Sequence, residues 1–122
     1  MSFVPEKVLR KLDNLTTQEA NELSFGVVRV NDEGIIELYN QYEADLSKIS
    51  VNGVLGKNFF ITVAPCTNNR LFKGKFDAGV SSDSLDVEFL YTFTYRLRPT
   101  NVAVRLYRDP LSKTNWIFTQ RR

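Results

Sequence analysis

The last third of the chain alternates with a period of two. In "DVEFLYTFTYRL" the residues Val87, Phe89, Tyr91, Phe93, Tyr95 and Leu97 fall on one face of an extended strand, and Glu88, Thr92, Thr94, Arg96 and Arg98 face the other way. "TNVAVRLYRD" repeats the pattern with Val102, Val104 and Leu106, and "NWIFTQ" supplies a third run. Pro99 cannot donate to a sheet ladder, so it marks the bend between the first two runs. Three strands in such close succession predict antiparallel pairing. Their apolar face then has to be covered by another layer.

The rest of the chain offers that layer. "FGVVRVNDEGIIELYN" predicts a hairpin, with Gly34 supplying positive φ at the turn. A stretch of short, turn-rich elements follows, "NQYEADLSKISVNGVLGKNFFITVAP". Phe72, Phe76 and Val80 at i, i+4, i+8 then predict a helix over 71–82. At the front, Val8, Leu9, Leu12 and Leu15 share a helical face from Pro5 onward. Thr16 with Glu19 has the spacing of a capping box that opens a second short helix. The expected architecture is α+β: a central five-stranded antiparallel sheet with short helices on one face and an N-terminal helical cap. The cap is placed at residues 1–24 and the core at 25–122, in a single domain overall.

Composition removes several function classes. The 16 basic and 14 acidic residues leave a net charge of +2, without the basic stripe of a nucleic-acid binder. The charged start and the lack of an apolar run of about 20 residues predict neither a signal peptide nor membrane insertion. One cysteine makes no internal disulfide, which fits a reducing, cytoplasmic setting. There is no histidine, so Ser-His-Asp and Cys-His catalysis are closed to this chain. A zinc site would have to be built from one thiol and carboxylates.

The one thiol, Cys66, lies in "VAPCTN", directly after an Ala-Pro step. It reads either as a small buried apolar residue or as a covalent attachment point whose direction the proline sets. A thiolate regenerated on every turnover lacks a base here, whereas a thiol acylated once by an activated donor needs none. Tyr39, Glu43 and Ser47 are spaced i, i+4, i+8 and would share a face in helical backbone. They read as a solvated helix face or as a grip on one ligand oxygen. The stripe Phe89, Tyr91, Phe93, Tyr95 reads as core, and an aromatic ligand would also pack on it.

Between Leu23 and Arg121 the chain resembles the photoactive yellow protein family, blue-light receptors of the PAS fold. The resemblance is carried by "LSFGVVRV", "LYNQYEADLS", "VLGKNFFITVAPCTN", "FKGKFDAGV", "YTFTYRLRPT" and "WIFTQR". It implies that Cys66 carries p-coumaric acid (4-hydroxycinnamic acid) as a thioester. It also implies that Tyr39 and a protonated Glu43 hold the phenolate oxygen, with Ser47 supporting the tyrosine. The backbone N–H of Cys66 is expected at the thioester carbonyl, and Tyr91 is expected to tie back to the Cys66 loop. The implied pocket is Val28, Ile49, Phe59, Val63, Ala64, Pro65, Thr67, Tyr91, Phe93 and Leu97. Ile49 stands where the family has an arginine, Leu97 where it has a methionine, and Tyr42 where it has a small residue, so Tyr42 is expected to fill part of the space near Ile49. The function implied is a non-enzymatic photoreceptor. Light turns the trans double bond to cis, Glu43 protonates the phenolate, and the N-terminal cap loosens as a signal to a downstream signalling protein. The alternative is a chromophore-free PAS module for ligand binding or protein association.

Overall fold

The computed structural model describes residues 2–94 and 99–122. The strands β1 (Gly26–Val30), β2 (Ile36–Tyr39), β3 (Asp86–Phe93), β4 (Thr100–Asp109) and β5 (Thr114–Arg121) form one sheet in the order β2-β1-β5-β4-β3. Every neighbouring pair is antiparallel. The β1–β2 turn is held by Asn31, whose Oδ1 accepts from the N–H groups of Glu33 at 3.0 Å and Ile35 at 2.9 Å. Gly34 takes φ of 90° there, a value that costs glycine little.

Alternation along the strands sorts the side chains onto two faces. Val28, Val30, Val102, Val104, Leu106 and Ile117 point to an inner core. Val27, Leu38, Trp116 and Phe118 point to an outer one. The inner face is covered by α3 (Gln41–Ser47), α4 (Val51–Val54), a π-helical turn (Phe59–Val63), a 3-10 turn (Pro65–Thr67) and α5 (Lys73–Ser82). The outer face is covered by α1 (Glu6–Leu9), a 3-10 turn (Leu12–Asn14) and α2 (Thr17–Asn21). Among the described residues no helix is long and apolar enough to cross a membrane.

Two boundaries and one burial pattern differ from the sequence expectation. The first helical stretch breaks after Leu9 and resumes as a 3-10 turn over Leu12–Asn14. Val8, Leu9, Leu12 and Leu15 are nevertheless all buried. The capping box forms as expected: Thr16 Oγ1 accepts from Glu19 N–H at 3.1 Å and Glu19 Oε1 accepts from Thr16 N–H at 3.0 Å. α5 begins at Lys73 rather than Leu71, since Asn69 Oδ1 accepts from the N–H groups of Leu71 and Phe72 and holds them out of the helix. On β3 the apolar stripe is core only toward its C-terminal end. Val87 is 37% exposed, Phe89 and Tyr91 are half-buried, and Phe93 is buried. Tyr95 and Leu97 lie outside the described residues.

Candidate functional site

The site grows from the junction of β2 and α3. Tyr39 is the last residue of β2, which corrects the expectation that Tyr39, Glu43 and Ser47 share a helix face. Asn40 is the reason. Its Oδ1 accepts from the N–H groups of Val27 at 2.9 Å and Glu43 at 3.1 Å, and its Nδ2 donates to the carbonyls of Ala20 at 2.8 Å and Phe25 at 3.0 Å. A side chain saturated this way caps α3, keeps its own backbone extended and ties the helix to β1. The chain turns at Asn40, and the Tyr39 hydroxyl still meets Ser47 Oγ, sharing a hydrogen bond of 2.8 Å. Both residues are buried.

Glu43 projects from α3 onto the sheet and is only 1% exposed. Its Oε1 accepts a hydrogen bond from Thr119 Oγ1 on β5. Gly26 pairs with Thr119 across the β1–β5 ladder, and a Cβ at Gly26 would fall on both Thr119 Oγ1 and Glu43 Oε1. The missing side chain is therefore the notch that admits the carboxyl. Burial pushes the Glu43 carboxyl up to about 7, against the hydrogen bond from Thr119, which acts to lower it. A carboxyl in that position keeps its proton below neutrality and can donate it.

Cys66 is a free, half-buried thiol on the 3-10 turn that follows the π-helical turn. Asn58 starts the π-helical turn by accepting from the N–H groups of Phe60 and Ile61. Thr67 closes the 3-10 turn by donating its hydroxyl to Ala64 O at 2.6 Å. The carbonyl of Cys66 accepts from Tyr91 Oη at 2.6 Å and from Asn69 Nδ2 at 2.9 Å, and Asn69 Nδ2 also donates to Tyr91 Oη at 2.7 Å. The loop carrying the thiol is thus fastened to β3 through its backbone. Phe72 packs beneath it, with ring centroids 5.1 Å from Tyr91 and 5.5 Å from Phe89.

Val28, Tyr39, Phe59, Val63, Ala64 and Phe93 belong to one continuous inner core, and Ile49, Cys66 and Tyr91 pack against it. Thr67 is buried, and Pro65 is exposed on the turn. The Ile49 N–H donates to Ser47 Oγ at 3.3 Å. Leu97 falls outside the described residues. The Tyr42 hydroxyl accepts from the Arg121 N–H at 3.0 Å, at the end of β5.

No family model matches the chain. A photoactive yellow protein from Halochromatium salexigens is 34% identical over 119 residues, which is 98% of this chain and 95% of that protein. The chain belongs to the photoactive yellow protein family. A second family member, from Rhodothalassium salexigens, is 33% identical across 99% of this chain and 97% of its own length. Among solved structures, the photoactive yellow protein domain of the sensor histidine kinase Ppr from Rhodospirillum centenum superposes with a TM-score of 0.86 at 36% identity. That match covers 92% of this chain and 98% of the domain. A PAS domain from the Cronobacter turicensis quorum-sensing receptor RpfR, in complex with BDSF, superposes at 0.66 with 14% identity, covering 82% of this chain and 95% of that domain, and shares the fold alone. The family's PAS fold is therefore the fold of this chain.

Reading the sequence did not single out Gly26, Asn40, Asn69 or Thr119. Two of them left signals. "FGVVRV" holds a glycine within a strand, the mark of a close approach. "NQYE" has the spacing of an N-cap followed by an acid three residues on. Thr119 left none, because its partner is 76 residues away, and the Asn69 bond to Tyr91 left none, because it spans 22.

Proposed function

We propose that this chain is a blue-light photoreceptor in which the Cys66 thiol carries p-coumaric acid as a thioester. Tyr39 and Glu43 hold the phenolic oxygen, and Ser47 supports Tyr39. The bound group supplies a light-absorbing double bond that changes geometry on excitation. The remaining roles belong to the chain. Tyr91 and Asn69 fix the Cys66 carbonyl, so the sulfur keeps one direction. Phe59, Val63, Phe93 and their neighbours in the inner core keep water away from it.

The observation that carries this reading is the Glu43 carboxyl, buried and held up to about 7, in a chain of this family. A neutral carboxyl can hold an anionic oxygen by donation, which an ionised one cannot. Once its proton leaves, the carboxylate remains in a buried, poorly solvated site with the neutral Thr119 hydroxyl as its described side-chain partner. A buried charge without a counter-charge is costly. That cost is relieved by loosening the packing, and the segment 1–24, built of helical turns too short to stand alone, is the part that yields. The outer sheet face so exposed is the signal, read by a downstream protein. The chain acts as a sensor and turns over no substrate.

Mixing the apoprotein with an activated p-coumaroyl thioester or anhydride should give a yellow adduct of the acyl mass that bleaches in blue light. Cys66→Ala should take up nothing while keeping the fold, since truncating a half-buried thiol removes little core volume. An adduct on the mutant would move the attachment away from Cys66. No adduct on the wild type would leave a chromophore-free PAS module.

A further inference from the structure

We propose that Thr119 is a positioning residue for Glu43: its hydroxyl occupies Oε1, so the acidic proton of the carboxyl resides on Oε2 and faces the ligand side. This deepens the photoreceptor reading and rests on it for the identity of the ligand oxygen. A protonated carboxyl has one O–H and one carbonyl oxygen. Thr119 Oγ1 donates to Oε1, so Oε1 is the carbonyl oxygen and the proton belongs to its partner. Both residues are buried, and the Gly26 notch leaves the hydrogen bond without a competing side chain from β1. When Oε2 loses its proton, Thr119 keeps donating to the resulting carboxylate, and a donor to the charged form favours that form.

The charged and titratable groups on the surrounding elements are turned elsewhere. Arg29 of β1 pairs with Glu37, and Arg121 of β5 is exposed. Glu19 of α2 pairs with Lys11, and Asp45 of α3 takes Gln41 Nε2. Tyr39 of β2 has its hydroxyl on Ser47. Thr119 is thus the described group that acts directly on the carboxyl, and burial alone would push the carboxyl higher than the position it takes.

The test uses the full-length apoprotein, so it does not depend on any adduct. Infrared spectra are recorded across pH for the wild type, Thr119→Val, Thr119→Ser and Glu43→Gln. The wild type should show a buried carboxylic C=O band that Glu43→Gln erases. Thr119→Val keeps shape and strand propensity but removes the donor. It should move the band to higher wavenumber and raise its titration midpoint by about one pH unit, a tenfold change in proton affinity. Thr119→Ser should restore both. A merely structural role for Thr119 would move neither in this paired way. An unchanged band and midpoint in Thr119→Val, or failure of Glu43→Gln to erase the band, overturns the inference. A wild type that loads no chromophore but passes this test would sink only the photoreceptor reading.

Discussion

On the outer face of the sheet, Val4, Val8, Leu9, Leu12, Leu15 and Ala20 pack on Val27, Leu38, Trp116 and Phe118, and Asn40 Nδ2 adds a buried polar tie to the Ala20 carbonyl. On the inner face, Tyr39, Glu43, Ser47 and Thr67 are buried among equally apolar neighbours, and each finds a polar partner. The outer layer is made of helical turns of four, three and five residues, which hold together only by what they cover. The inner layer is fastened by directional bonds from Asn40, Asn58 and Asn69 that set the place of each turn. A layer held mainly by apolar packing can lift and return, whereas a layer held mainly by directional bonds keeps ligand groups in register. In the proposed function the inner face senses and the outer face responds.

Deleting residues 1–24 is the strongest way to break that division. Each buried side chain of leucine size contributes about 1.5–3 kcal/mol, so the midpoint of thermal unfolding should fall by more than for any single substitution. Trp116, now 1% exposed, should shift its emission to the red. Because the ionised Glu43 is proposed to loosen this segment, removing the segment should in turn lower the Glu43 midpoint below about 7. A midpoint that stays in place would show that the outer layer is not coupled to Glu43.

Leu12→Ala is the local version. Leu12 is 2% exposed, and its truncation should cost about 3 kcal/mol in chemical denaturation. The carboxyl band of Glu43 should stay where it is.

Glu43→Gln tests the inner face through pH. The carboxyl has its proton affinity raised in the folded state, from 4.5 to about 7. Below about pH 4.5 it is neutral folded and unfolded, and its contribution is intact. As pH rises from there, the unfolded chain releases the proton first, so stability falls until the folded carboxyl has ionised near 7. The wild-type apoprotein should lose about 3 kcal/mol over that window, and Glu43→Gln should not. A flat wild-type profile would remove the burial argument.

Ser47→Ala should have the smallest effect, about 1 kcal/mol, for one hydrogen bond to Tyr39. An effect larger than that of Leu12→Ala would mean that the polar interior carries more of the fold than the apolar outer layer.

The strands, the hairpin, the capping box and α5 were legible because they are written in local periodicity and turn chemistry. Val102, Val104 and Leu106 announce a face, and Thr16 with Glu19 announces a helix start. Cys66, Tyr39 and Glu43 were legible as residue types in recognisable stretches. Their spacing misled in one respect: i, i+4, i+8 matched a helix, but Asn40 draws its bonds from Val27, Ala20 and Phe25 and ends the strand at Tyr39.

What the chain alone determined is which side chains must be buried together and which turns must form, because those depend on neighbours a few residues apart. Which buried polar group meets which partner was decided by tertiary structure. Thr119 reaches Glu43 only because β5 lies beside β1 and Gly26 has no side chain to intervene. Tyr91 joins Asn69 at the Cys66 carbonyl only because β3 runs past that loop. A hydrogen bond needs its two atoms within about 3 Å, and no local pattern places residues 76 positions apart at that distance.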